Sequence, residues 1–178
     1  MFEYNTKTNL VNRLKKVIMG LINMPDLVKY IHKALVKGKR TIAVAESCTG
    51  GLISKILTDN PGSSKYFLLG VTAYSNQAKK NTLKIPASII SERGAASKET
   101  ASLMAENIRR ISGADLGIGV TGIAGPTGAT PGKPIGTVFI AASGKRKTIC
   151  RKFIFRGSRP SIRKQAALSS LKLLKLIL

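Results

Sequence analysis

The period of the hydrophobic positions changes several times along the chain, and each change marks a new element. Over residues 10–22, Leu10, Leu14, Val17, Ile18, Leu21 and Ile22 recur at three- and four-residue steps. Arg13, Lys15 and Lys16 lie between them, which is the spacing of an amphipathic helix with a basic face. Pro25 and Asp26 open a second helix through Leu27, Ile31, Ala34 and Leu35, and Gly38 ends it. Residues 41–45 are a short apolar, β-prone run. Beyond Gly50 and Gly51 the helical period returns in Leu52, Ile53, Ile56 and Leu57, so this stretch predicts strand, turn, helix.

Residues 66–74 read as a second strand, with Asn76 capping a short helix before Pro86. Residues 97–111 set Ala101, Met104, Ala105 and Ile108 on one helical face, and a strand follows at 116–121. Residues 122–134 hold four glycines and three prolines, too many for regular structure, and form a loop directly after a strand end. Strands at 136–142 and 148–155 pair across the turn Gly144-Lys145-Arg146, and a last helix follows Gly157-Ser158-Arg159-Pro160. Strands alternating with helices and closing in a hairpin predict an α/β fold, a three-layer α/β/α sandwich around a mixed sheet. One domain is expected over residues 24–178, preceded by a basic amphipathic extension over 1–23.

Composition narrows the chemistry. No apolar run approaches the ~18 residues of a membrane-spanning helix. Cys48 and Cys150 are the only cysteines and His32 the only histidine, so no metal-ligand set is expected. No cleavable signal peptide is evident, and a reducing, cytoplasmic setting is predicted. The net charge of +22 lies mostly at the termini: nine Lys/Arg against two acids in residues 1–40, eleven against none in 144–178. That distribution fits solvated outer faces as well as it fits a polyanion site, and aromatics at 5% are too few to interleave with the basic residues.

Candidate chemistry collects at Ala45-Glu46-Ser47-Cys48-Thr49-Gly50-Gly51, a turn between a strand and a helix. Backbone N–H groups at such a helix start attract negative charge, and the turn offers two hydroxyls and a thiol. A helix cap and an active centre both account for it. Neither a P-loop nor a G-x-G-x-x-G fingerprint passes through it. The lone His32 has no acidic neighbour to tune it and reads as a packing residue, so a nucleophilic Ser47 needs another base. A lysine serves when burial lowers its pKa from ~10.4. Lys79, beside Lys80 and five residues beyond Tyr74, is the best-placed candidate, with a solvated charge as its other reading.

Five runs then occur in order: the turn above, Tyr74-Ser75-Asn76 with Lys79, Thr121-Gly122-Ile123-Ala124-Gly125-Pro126, Pro134-Ile135-Gly136-Thr137-Val138 and Phe155-Arg156-Gly157-Ser158-Arg159. Over roughly residues 26–177 the chain resembles the CinA C-terminal-domain family, whose characterised members are nicotinamide-nucleotide amidohydrolases. The resemblance implies an α/β/α sandwich and a homodimer. It also implies hydrolysis of the carboxamide of nicotinamide mononucleotide to nicotinate mononucleotide and ammonia, without metal or cofactor. On the matching positions, Ser47 attacks, Lys79 takes its proton and Tyr74 orients or shares it. Glu46, Cys48, Thr49, Gly50, Gly51, Asn76, Thr121, Gly122 and Gly125 surround the small-molecule substrate. Amides of residues 48–51, with Thr121 or Gly122, are the candidate oxyanion donors, and Arg159 and Arg163 at the start of the last helix are the candidates for the phosphate, with exposed basic side chains as their other reading. Cys48 is expected as a pocket wall.

Two departures stand out. Ser158 occupies the position where the family usually carries Asp, and residues before Met24 exceed the family pattern. The family's frequent larger N-terminal partner domain has no counterpart in the 178 residues, and a standalone form is expected. A competing reading, not favoured, is a catalytically silent module that holds nucleic acid or anionic membrane through its basic termini. A third is an enzyme acting on a related amide or nucleotide.

Overall fold

A computed structural model describes residues 24–178. The helix expected over 10–22, and the 1–23 extension with it, lies outside the described residues. The elements run α1 (Met24–Lys37), β1 (Ile42–Glu46), α2 (Leu52–Thr58), a 3-10 turn (Ser63–Lys65), β2 (Phe67–Thr72), α3 (Asn76–Asn81), α4 (Ala87–Arg93) and α5 (Lys98–Ser112). They continue with β3 (Leu116–Gly122), β4 (Thr137–Ser143), β5 (Thr148–Ile154) and α6 (Arg159–Lys175). The five strands form one sheet in the order β2-β1-β3-β4-β5. β1 is parallel to both β2 and β3, and the β3-β4-β5 meander is antiparallel, so the predicted mixed sheet is found.

Alternation along the central strands sorts side chains to two covered faces. Ile42 and Val44 of β1 and Leu116, Ile118 and Val120 of β3 point toward α1, α2 and α6, where they meet Leu27, Ile31, Ile53, Ile162, Ala166 and Leu171. Ala43 and Ala45 point the other way, toward Met104 and Ile108 of α5. That second face is packed closely. A Cβ on Gly117 would come within 2.1 Å of the Ala105 carbonyl oxygen, and one on Gly119 within 2.3 Å of that of Ala101. The Leu-Gly-Ile-Gly-Val pattern of β3 thus records a helix lying directly on the sheet, with small residues on both sides of the contact.

Several expectations shift locally. The second strand begins at Phe67, because Tyr66 turns inward and its hydroxyl donates to the Leu57 carbonyl at 2.6 Å. His32 packs edge-on against that ring with centroids 5.4 Å apart, the packing role read for it. Ser75, not Asn76, caps α3: its hydroxyl accepts from the Ala78 N–H at 3.0 Å, and Asn76 is the first helical residue. An extra helix, α4, follows Pro86 and had no clear periodic signal.

The strand order places a ligand crevice. From β1 the chain goes outward to β2 and then returns across β1 to β3, so the topology reverses at the β1/β3 boundary, where the C-terminal strand ends leave an opening.

Candidate active site

β1 ends at Glu46, level with Thr72 of β2 and Val120 of β3, and the Ser47 N–H donates to the Val120 carbonyl at 2.9 Å. Ser47 therefore leaves the sheet at the crevice. Gly50 and Gly51 follow with φ of 61° and 91°, a backbone that side-chained residues rarely adopt, and they let the chain double back into α2.

Lys79 reaches Ser47 from α3, thirty-two residues on. Its side chain is only 2% exposed, and Nζ donates to Ser47 Oγ at 3.0 Å, to the Ala73 carbonyl at 3.1 Å and to the Tyr74 carbonyl at 3.2 Å. No carboxylate is among these partners. Burial holds the Lys79 pKa below its usual 10.5. Two carbonyls can anchor the two protons of a neutral amine, leaving its lone pair toward the serine hydroxyl. Cys48, beside the pair, is 6% exposed, and burial pushes its thiol pKa up to about 12, so at neutral pH it is not a thiolate.

The cavity above the pair measures about 370 Å³. Ser47, Cys48, Tyr74, Asn76, Lys79, Thr121, Gly122 and Arg159 of the expected residues line it. Tyr74 is exposed at the rim; its phenol accepts from Arg159 Nη2 at 2.5 Å, while Arg159 Nη1 donates to the Gly125 carbonyl at 2.6 Å. Arg159 thus ties the α3 entry to the 123–136 loop. The Thr121 hydroxyl donates to the Ala95 carbonyl at 2.8 Å.

Other expected residues do not face the cavity. Glu46 is fully buried beneath the turn, and its carboxylate accepts from the N–H groups of Gly51, Ile53 and Ser54 and from the Ser54 hydroxyl at 2.7–3.1 Å. It caps α2 from below, where the N-terminal N–H groups welcome a negative charge. Arg163 lies on the helix side and donates through Nε and Nη2 to the Thr49 carbonyl at 3.1 and 2.6 Å, which is not a phosphate seat. Thr49 is fully buried. The Gly50 and Gly51 amides are committed to the Ser47 carbonyl and to Glu46, so the turn's oxyanion donors narrow to the amide of Cys48, which lines the cavity. Gly125 takes part through its carbonyl, as the anchor of Arg159.

The sequence reading missed Lys133, which lines the cavity and donates to the Arg93 carbonyl at 2.8 Å, and residues 94–96, which form the facing wall. Lys133 is the one cation of the Gly/Pro-rich loop after β3, and that was the signal available. With Lys79 and Arg159 it gives a cavity whose lining holds three cations and no carboxylate.

Comparison with known proteins places this geometry. The CinA C-terminal domain model matches residues 25–178. A CinA-like protein of Syntrophus aciditrophicus is 46% identical over 172 residues, covering 96% of this chain and 41% of its own length. The chain thus spans about two fifths of the length of that relative. Among solved structures, the competence damage-inducible protein A of Klebsiella pneumoniae superposes with a TM-score of 0.84 at 30% identity, covering 87% of this chain and 96% of that one. A competence-damaged protein (CinA) superfamily protein of Escherichia coli gives 0.84 at 27%, covering 88% and 91%.

Proposed function

This chain belongs to the CinA C-terminal domain family, and from that membership and the buried Ser47–Lys79 pair we propose that it is a serine amidohydrolase acting on nicotinamide mononucleotide. The single observation that carries the reading is Lys79 Nζ, desolvated and 3.0 Å from Ser47 Oγ. A lysine is placed this way at the cost of its solvation, and a base that must be neutral near physiological pH needs that cost.

In the proposed reaction Ser47 Oγ attacks the carboxamide carbon while its proton passes to the Lys79 lone pair. The oxyanion is met by the amide of Cys48. The Lys79 ammonium then gives its proton to the departing nitrogen, releasing ammonia and leaving an acyl ester on Ser47. A water attacks that ester, its proton returns through Lys79, and the carboxylate product leaves. No step uses a metal. Tyr74 holds Lys79 through its carbonyl and Arg159 through its phenol, which links the base to the anion-binding side. Lys133 and Arg159, resting on neutral carbonyls and a phenol, are free to exchange those partners for a phosphate.

The test is ammonia release from nicotinamide mononucleotide by the purified chain. Release that is unchanged by EDTA and abolished in both Ser47→Ala and Lys79→Ala supports the reading. A well-folded wild-type protein that releases no ammonia overturns it.

A further inference from the structure

The turn that carries Ser47 is held from two sides by charged groups that never enter the cavity. On one side the buried Glu46 carboxylate takes three amides and a hydroxyl from the start of α2. On the other, the Arg163 guanidinium, fixed on α6 beside the buried Ile162, makes two bonds to the Thr49 carbonyl. The approach is close enough that a Cβ on Gly50 would lie 3.1 Å from Arg163 Nη2. A glycine there leaves room for the guanidinium, and its positive φ bends the chain back toward Ser47.

We propose that Arg163 is a positioning residue that locks the Ser47–Gly50 turn, with Glu46 as its opposite anchor, so that Ser47 stays on Lys79 and the Cys48 amide stays at the developing oxyanion. Without Arg163 the Thr49–Gly50 peptide would be held only by the single bond from the Gly50 N–H to the Ser47 carbonyl, in a glycine-flanked turn. Two donors from one planar group fix both its position and its orientation, which a lysine ammonium cannot reproduce. A displacement of about 1 Å in such a constellation is worth roughly 10²-fold in rate. Ground-state binding depends on Lys133 and Arg159 across the cavity and is untouched. The catalytic half of this proposal rests on the amidohydrolase reading; the clamp itself does not.

Cys48 supplies an independent reporter, because it sits inside the turn and is nearly closed to solvent, whereas Cys150 lies half-buried on β5 far from it. In Arg163→Met, alkylation of Cys48 by iodoacetamide, read by peptide mass, is expected to accelerate at least tenfold, with Cys150 unchanged. In the same variant kcat for ammonia release falls 10- to 100-fold with KM within twofold. Arg163→Lys recovers part of both, and Glu46→Gln, which turns an amide donor toward the N–H groups it should accept from, behaves like Arg163→Met. Unchanged Cys48 alkylation in folded Arg163→Met overturns the clamp, as does acceleration at both cysteines, which reports general loosening. A freed Cys48 with wild-type kcat overturns the catalytic role. If the wild type releases no ammonia, the amidohydrolase reading fails and the clamp is decided on alkylation alone.

Discussion

The two ends of the sheet carry cavities of nearly equal size and similar charge, yet they differ in kind. At the C-terminal ends of β1 and β3 about 370 Å³ lies above Ser47 and Lys79. At the opposite ends about 380 Å³ is lined by Arg40, Asp115 and the hairpin residues Lys145, Arg146 and Lys147. In the second cavity Arg40, Asp115 and Lys145 are answered in the ordinary way. Arg40 donates to the Ile177 and Leu178 carbonyls, Asp115 accepts from the Thr41 amide and hydroxyl, and Lys145, its side chain 80% exposed, stands 3.7 Å from Asp115. In the first, a lysine is stripped of water and offered a hydroxyl. Volume and net charge do not separate a reactive site from a solvated basic surface; desolvation of one cation does.

The largest expected effect breaks that contrast directly. Lys79→Ala and Ser47→Ala should each lower ammonia release by about 10⁴-fold, the scale on which nucleophile–base pairs act, while Lys145→Ala stays within twofold of wild type. Lys79→Arg keeps the charge but cannot surrender its proton, so a loss of about 10²–10⁴-fold is expected, the range assigned to a general base. Wild-type rates in that variant would make Lys79 an electrostatic partner instead.

The pH dependence sharpens the same point. Only the neutral amine accepts the Ser47 proton, so kcat/KM should fall as pH drops through the Lys79 pKa, on a limb lying below 10.5 because burial lowers that pKa. Stability carries the matching sign. Between the lowered folded pKa and 10.5 the unfolded chain binds the extra proton, so unfolding free energy rises with pH across that window, and Lys79→Met should flatten the rise in denaturant titrations. At the other end of the sheet the slope has the same sign, because the folded pKa of Asp115 is also lowered, but the window lies in acid. The Thr41 amide heads the causes that hold Asp115 below its usual range, so its contribution is present above the unfolded carboxylate pKa and lost as pH falls through the folded value.

Smaller effects test the anion side. Lys133→Met should raise KM for nicotinamide mononucleotide about tenfold, near 1.4 kcal/mol, and leave KM for the nucleoside that lacks the phosphate unchanged. An equal rise for both would assign Lys133 to holding the loop on the Arg93 carbonyl. Smallest of all, Asp115→Asn should cost under about 1 kcal/mol in chemical denaturation, as expected for a part-exposed carboxylate.

Local pattern made much of this molecule readable. Apolar spacing gave α1, α2 and α5, the β-prone runs gave the five strands within a residue or two, and the small-residue turn at a strand end marked Ser47. Each of these is a property of neighbouring residues, so the sequence by itself determined it. The boundary errors were also local: an inward tyrosine delayed β2, and Ser75 outcompeted Asn76 as a cap because its hydroxyl reaches the Ala78 amide.

The roles of the charged residues were decided only by the tertiary structure. Spacing from Tyr74 and the family resemblance nominate Lys79 over Lys80, but only packing of α3 against the end of β1 buries the one and leaves the other half-exposed. Glu46 and Arg163 carry the polar character of ligand-binding groups, but the amides of α2 and the Thr49 carbonyl claim them first. Lys133 joins the site because the 123–136 loop folds back over the crevice. Charge reports chemistry only after burial has fixed how much water, and which partner, each group keeps, and that burial arises from contacts between segments distant in the chain.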